Sequence, residues 1–223
     1  MMFRSKSFNT HRPVASGSLI RTQSFSEKWP NSVNVRASIV VKEVNPEEAL
    51  NAMTAVSTGM MNNGWECYVD SDDYDREQEK WNNRFIEAYN KSCHISSEAK
   101  KTIEKINGSE ILFFIAYFRG MPIGGLQLSP INNGFPDFPE VINLATHCGI
   151  RSCGVFLIEQ AVNKSQQLGS YGALKLNPLP GSRSAYREMG FIETAYYMEL
   201  HPVLRRDKWK YDGATNSYKY RFN

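Results

Sequence analysis

The chain is predicted to form a mixed α/β domain, with a mostly antiparallel central sheet flanked by helices. Three observations predict it. Apolar β-type segments and amphipathic helical stretches follow one another in the order β-α-α-β-β-β-α-β-α-β-β. A hairpin, punctuated by the turn Arg119-Gly-Met-Pro122, forces two central strands to be antiparallel neighbours. An apolar segment, Val141 to Thr146, then runs through a loop into a long amphipathic helix, which is a strand–loop–helix unit.

The elements follow in order. Ala37 to Val44 reads as a strand, and Pro46 to Met61 as a helix with proline in its first turn. Tyr74 to Asn90 is a polar helix whose Trp81, Phe85 and Tyr89 recur every four residues, a stripe suited to core packing. Ser97 to Ile106 adds a short third helix. The hairpin pairs Ile111 to Phe118 with Ile123 to Leu128, arms filled by β-branched and aromatic residues. After the strand–loop–helix unit, Ala173 to Leu176 is a strand and Ser184 to Met189 a helix closed by Gly190. Glu193 to Leu200 and Ser217 to Phe222 make a closing pair of strands.

Composition narrows the function classes. Of 223 residues, 41% are hydrophobic and 22% charged, the balance of a soluble globular chain. The longest apolar stretch, Ile111 to Phe118, is too short to cross a bilayer. A net charge of +3 gives no argument for a nucleic-acid partner. Charge is nevertheless segregated. Glu66 to Glu79 holds seven carboxylates and one base, whereas six bases and two acids follow His201. Cys67, Cys93, Cys148 and Cys153 lack the spacing of a zinc site or disulfide framework, so reduced thiols in a cytosol are expected. Asp70 to Asp75 fails the calcium-loop pattern, since Asp75 stands in place of the glycine and Trp81 in place of the bidentate glutamate. No metal is expected.

Residues 1–36 stand apart from the domain at 37–223. No acid precedes Glu27, while Arg4, Lys6, Arg12 and Arg21 are interspersed with serines. Such a segment suits a mitochondrial transit peptide, the export signal of a secreted bacterial effector, or a disordered tail on a cytoplasmic protein.

Leu144 to Phe156, L-A-T-H-C-G-I-R-S-C-G-V-F, carries the chemistry. A helix that starts after such a loop leaves its first amides unpaired and turns its positive dipole end toward the loop, which makes an anion socket. Gly154 lets a ligand approach the backbone, and Arg151 adds a full charge.

This segment resembles, without a gap, the fourth strand and loop of the GCN5-related N-acetyltransferase (GNAT) superfamily, L-A-V-h-P-x-y-R-G-x-G-h-G. The hairpin is similar to the family's second and third strands, and Tyr186-Arg-Glu-Met-Gly-Phe191 to its Y-E-K-x-G-F element. The resemblance spans roughly residues 37–200. It implies acetyl-CoA as co-substrate, with the pyrophosphate on the amides of Arg151, Ser152, Cys153, Gly154, Val155 and Phe156. Leu144, Ala145 and Thr146 would splay from the next strand and bind the pantetheine arm and thioester oxygen. Asn177 would be a further cofactor contact, displaced by two residues from its usual spacing to Tyr186.

For the chemistry, the resemblance makes Tyr186 the general acid and Glu140, at the start of the strand, the general base. His147 falls at a position that is usually structural. The implied reaction is direct transfer of an acetyl group to a primary amine, either a protein amine or a cationic small molecule, toward which the acidic run would draw it. Besides the displaced Asn177, two residues depart from the pattern. Ser152 replaces a glycine, and Phe156 stands where glycine or alanine is usual, so its ring either crowds the pyrophosphate or turns into the core. If it crowds, the chain is a GNAT-fold interaction module without turnover.

Overall fold

The computed structural model describes residues 38–65, 76–105, 110–130, 138–150 and 152–222, together with two short paired strands, Lys6–Ser7 and Thr22–Gln23. The rest of the N-terminal extension, Cys67, Arg151 and most of the acidic run lie outside the described residues.

The central sheet has seven strands: β1 (Ile39–Val44), β2 (Leu112–Phe118), β3 (Met121–Ser129), β4 (Glu140–Thr146), β5 (Leu174–Leu176), β6 (Ile192–Glu193) and β7 (Met198–Leu200). Their spatial order is β1-β2-β3-β4-β5-β7-β6, and every neighbouring pair is antiparallel except β4 and β5. This is the predicted fold class. Strand β2 is buried on both faces because the sheet is a middle layer. Phe113 and Ile115 pack under helices α1 (Pro46–Asn62) and α2 (Arg76–Ile103), while Phe114 and Ala116 face helix α3 (Gly154–Gln167). That double burial is why residues 111–118 read as an unbroken apolar run.

Local chemistry sets the ends. Asn45 caps α1, its Oδ1 accepting from the Glu48 amide at 2.8 Å, with Pro46 in the first turn as predicted. The β2–β3 turn is tighter than the expected four residues. Arg119 and Gly120 alone make it, both at positive φ (50° and 82°), which is the geometry that matches strand twist.

Two expectations need correction. The helices expected at Tyr74–Asn90 and Ser97–Ile106 are one element, α2. The intervening serines do not break it, because Ser92 Oγ donates to the Ala88 carbonyl (2.8 Å) and Ser96 Oγ to that of Ser92 (3.1 Å), so both hydroxyls are satisfied within the helix. The closing strands also differ. Residues 193–200 divide between β6 and β7, and Ser217–Tyr220 (β9) pairs with Trp209–Asp212 (β8) in a separate hairpin. Charged Lys208 and Lys210 hid the alternation of Trp209 and Tyr211. The hairpin is fastened to α3 through Asn163, whose amide accepts from the Tyr218 N–H (2.7 Å) and donates to the Tyr218 carbonyl (3.1 Å). The Glu159 carboxylate accepts from the Tyr220 amide (2.8 Å) and from Lys219 Nζ (3.2 Å).

Candidate active site

The site begins where β4 and β5 part. The parallel pair holds for two registers only, Glu140 with Lys175 and Val141 with Leu176. Past Val141 the edge of β4 that faces β5 has no strand beside it among the described residues. On the β3 side the register shifts at Gln127/Leu128, which pair with Asn143 and Val141, so Ile142 is a bulge residue with a register partner on neither strand. Register at this bulge is pinned from the helix side. Asn143 Nδ2 donates to Oε1 of the buried Gln127 (2.8 Å), and Lys91 Nζ donates to Asn143 Oδ1 (2.9 Å).

The gap left by the parting strands is a cleft of about 170 Å³. Val141 to Thr146 form one side, residues 176–179 with Ser182 and Tyr186 the other, and Arg84, Glu87, Ala88 and Lys91 of α2 the third. Close packing of β3 on β4 supports it, since a Cβ on Gly124 would lie 2.6 Å from the Ala145 carbonyl oxygen.

The predicted cofactor residues fall on two adjoining parts. Leu144, Ala145, Thr146 and Asn177 line the cleft. Ser152, Cys153, Gly154 and Val155 form the turn into α3; the N-cap Cys153 makes no side-chain capping bond, and the first amides of a helix have no intrahelical acceptor. The two parts touch, since a Cβ on Gly154 would stand 3.5 Å from Leu144 Cδ2. Ser152 adopts φ of +62°, the left-handed region that favours glycine, which accounts for the glycine in the family pattern. Arg151 is outside the described residues. The Phe156 side chain belongs to the core: it is buried, its ring lies 5.4 Å from that of Phe222, and its amide donates to the Cys153 carbonyl at 3.1 Å.

Tyr186, on the short helix α4 (Arg183–Met189), packs edge-on against Phe191 (5.4 Å between centroids), and burial pushes its hydroxyl up to about 12. Glu140 is placed differently. It starts β4 beside Lys175 and is not among the residues that line the cleft. His147 is buried against Trp65 (4.8 Å, edge-on), and its Nδ1 accepts from the Gly149 amide (3.2 Å). Burial, helped by the Arg84 charge, pulls its pKa down to about 4, the behaviour of a structural imidazole. Cys148 and Cys153 are buried and in no disulfide, and burial raises the Cys153 thiol to about 12, which leaves it protonated and inert.

In fold the chain is similar to solved acetyltransferases of the GNAT family. The PaiA N-acetyltransferase from Thermoplasma acidophilum, solved with coenzyme A, is 20% identical over 74% of this chain and 99% of its own, with a TM-score of 0.46. A putative GNAT acetyltransferase from Desulfovibrio desulfuricans is 14% identical over 73% and 98%, at 0.49. A GNAT acetyltransferase from Brucella melitensis, solved with acetyl-CoA, is 15% identical over 73% and 87%, at 0.42. No family model matches the sequence, and no curated protein matches it. These similarities concern the path of the chain and give no residue a role.

Sequence reasoning missed Ile142, Asn143, Lys91 and Glu87. The bulge has no local signature, and Lys91 and Glu87 of α2 meet the cleft only when the helix crosses β4.

Proposed function

We propose that this chain is an acetyl-CoA-dependent N-acetyltransferase that acetylates a primary amine by direct transfer. One observation carries the reading: among the described residues the edge of β4 beyond Val141 has no strand partner and leads, past Leu144, to a helix start whose N-cap Cys153 gives no side-chain cap and from which the Phe156 ring turns into the core. The socket amides from Ser152 to Val155 would take the pyrophosphate, and the helix dipole favours its charge. The edge from Ile142 to Thr146 would pair with the pantetheine amides as an added strand would. Acetyl-CoA supplies the activated acetyl group when bound.

At the reacting end, Ile142 is the bulge residue without a register partner, and its N–H would polarise the thioester oxygen. Tyr186 would donate a hydrogen bond to the departing sulfur. With a pKa near 12 it stays protonated at neutral pH, so it serves as donor and not as base. The acceptor would be a cationic amine, protein or small molecule. The carboxylates between Glu66 and Glu79 support this by sign alone, and among them Glu79 is a described side chain. The inward turn of Phe156 favours this reading over an interaction module without turnover.

Thermal shift with acetyl-CoA tests the proposal. At a hundredfold its Kd the ligand adds about 2.7 kcal/mol. For a chain of this size that corresponds to a melting shift of roughly 5 to 11 °C. No shift at millimolar acetyl-CoA overturns the reading.

A further inference from the structure

We infer that Glu87, and not Glu140, receives the acceptor ammonium and takes its proton; this rests on the acetyltransferase reading. Arg84, Glu87 and Lys91 lie along one face of α2, and all three line the cleft. The two cations are directed at fixed carbonyl oxygens: Arg84 Nη2 donates to the Ile150 backbone (2.9 Å) and Lys91 Nζ to Asn143 Oδ1 (2.9 Å). Glu87 is turned the other way, toward the loop that leads into Tyr186. Both carboxylate oxygens stand 3.5 Å from the point where a Cβ on Gly181 would lie. No hydrogen bond or ion pair among the described residues engages that carboxylate. It is half-buried and the sole carboxylate among the cleft-lining residues. A half-buried carboxylate with no hydrogen-bond or ion-pair partner keeps both oxygens available to a cationic ligand.

Chemistry needs such a group at this place. An alkylammonium with a pKa near 10.4 is almost wholly protonated at neutral pH and has no lone pair to attack with. Glu87, directly or through one water, accepts one ammonium proton. The nitrogen lone pair then bonds to the thioester carbon, the carbon–sulfur bond breaks, and the second nitrogen proton passes to the sulfur, to which the Tyr186 hydroxyl donates a hydrogen bond. Glu87 returns its proton to solvent. Ammonium and thioester thus become amide, thiol and one released proton. Glu140 is poorly placed for this, since it sits outside the cleft lining, beside Lys175.

The test uses two CoA thioethers of matched size, S-aminoethyl-CoA and S-propyl-CoA, titrated calorimetrically into the full chain and into its Glu87→Gln and Glu140→Gln variants. The ammonium of the first falls where the acceptor nitrogen would be. The wild type is expected to prefer the charged thioether about tenfold, the scale of one charged hydrogen bond. Glu87→Gln should abolish that preference and leave S-propyl-CoA affinity unchanged, which also reports an intact fold; Glu140→Gln should keep it. Equal affinity for the two thioethers in the wild type, or a preference that survives Glu87→Gln, overturns the inference. If neither thioether binds the wild type, the acetyl-CoA reading itself has failed.

Discussion

The ring of Phe156 lies 5.4 Å from that of Phe222, and Tyr220 meets Phe222 edge-on at 5.1 Å. The contact joins the first turn of α3 to residues near the C-terminus, on the core side of Phe156. Phe156 serves the core, so its removal should harm the fold and leave the ligand site alone. Phe156→Ala is expected to cost about 3 to 5 kcal/mol. Acetyl-CoA affinity, measured below the lowered melting temperature, should change little. A marked gain in affinity would show that the ring obstructs the socket.

Ser152 spends its place in the turn at φ of +62°. A side chain in the left-handed region costs about 1 to 2 kcal/mol, partly offset by the greater unfolded-state freedom of glycine. Ser152→Gly should therefore raise the melting temperature by a few degrees, whereas Ser152→Val should lower it. Thermal melts of the two variants decide the matter.

Buried His147 makes stability depend on acid. Its folded pKa of about 4 lies below the ordinary 6.5, so the unfolded chain binds the proton first as pH falls. Stability from this group is complete above pH 6.5 and drains away as pH drops toward 4. The slope is about 1.4 kcal/mol per pH unit, for a total on the order of 3 kcal/mol. Denaturant melts between pH 7 and pH 4 should show that slope flattened in His147→Gln.

Tyr186 at about 12 and a free thiol near 8.5 differ by about 3.5 pK units, so full proton transfer to the sulfur would be uphill by about 5 kcal/mol. A hydrogen bond to the developing thiolate avoids that cost. Tyr186→Phe should lower kcat about ten- to a hundredfold and leave acetyl-CoA affinity nearly unchanged. Nor should the wild-type rate show an alkaline limb assignable to tyrosine below pH 10. Such a limb, absent in Tyr186→Phe, would contradict the donor role.

Much of this was legible in the sequence because it is local. Pro46, the Arg119-Gly120 turn, the apolar run of β2 and the R-S-C-G start of α3 each encode their structure within a few residues. What escaped depends on distant partners. The inward turn of Phe156 goes with a core cluster that includes Trp209 and Tyr218, far along the chain. The continuity of α2 rests on serine hydroxyls that bond back to their own helix. Glu87 looks like any charge on a polar helix until the loop at Gly181 comes beside it. Glu140, the carboxylate that family resemblance singled out, begins β4 as expected, yet strand pairing sets it beside Lys175.

The most direct measurement is an amide chemical-shift titration of labelled protein with acetyl-CoA. The expected result is saturable movement of two groups of amides together: Ser152 to Val155 at the start of α3, and Ile142 to Thr146 along β4. Shifts confined to other surfaces, or none at millimolar acetyl-CoA, would contradict the assignment of this cleft.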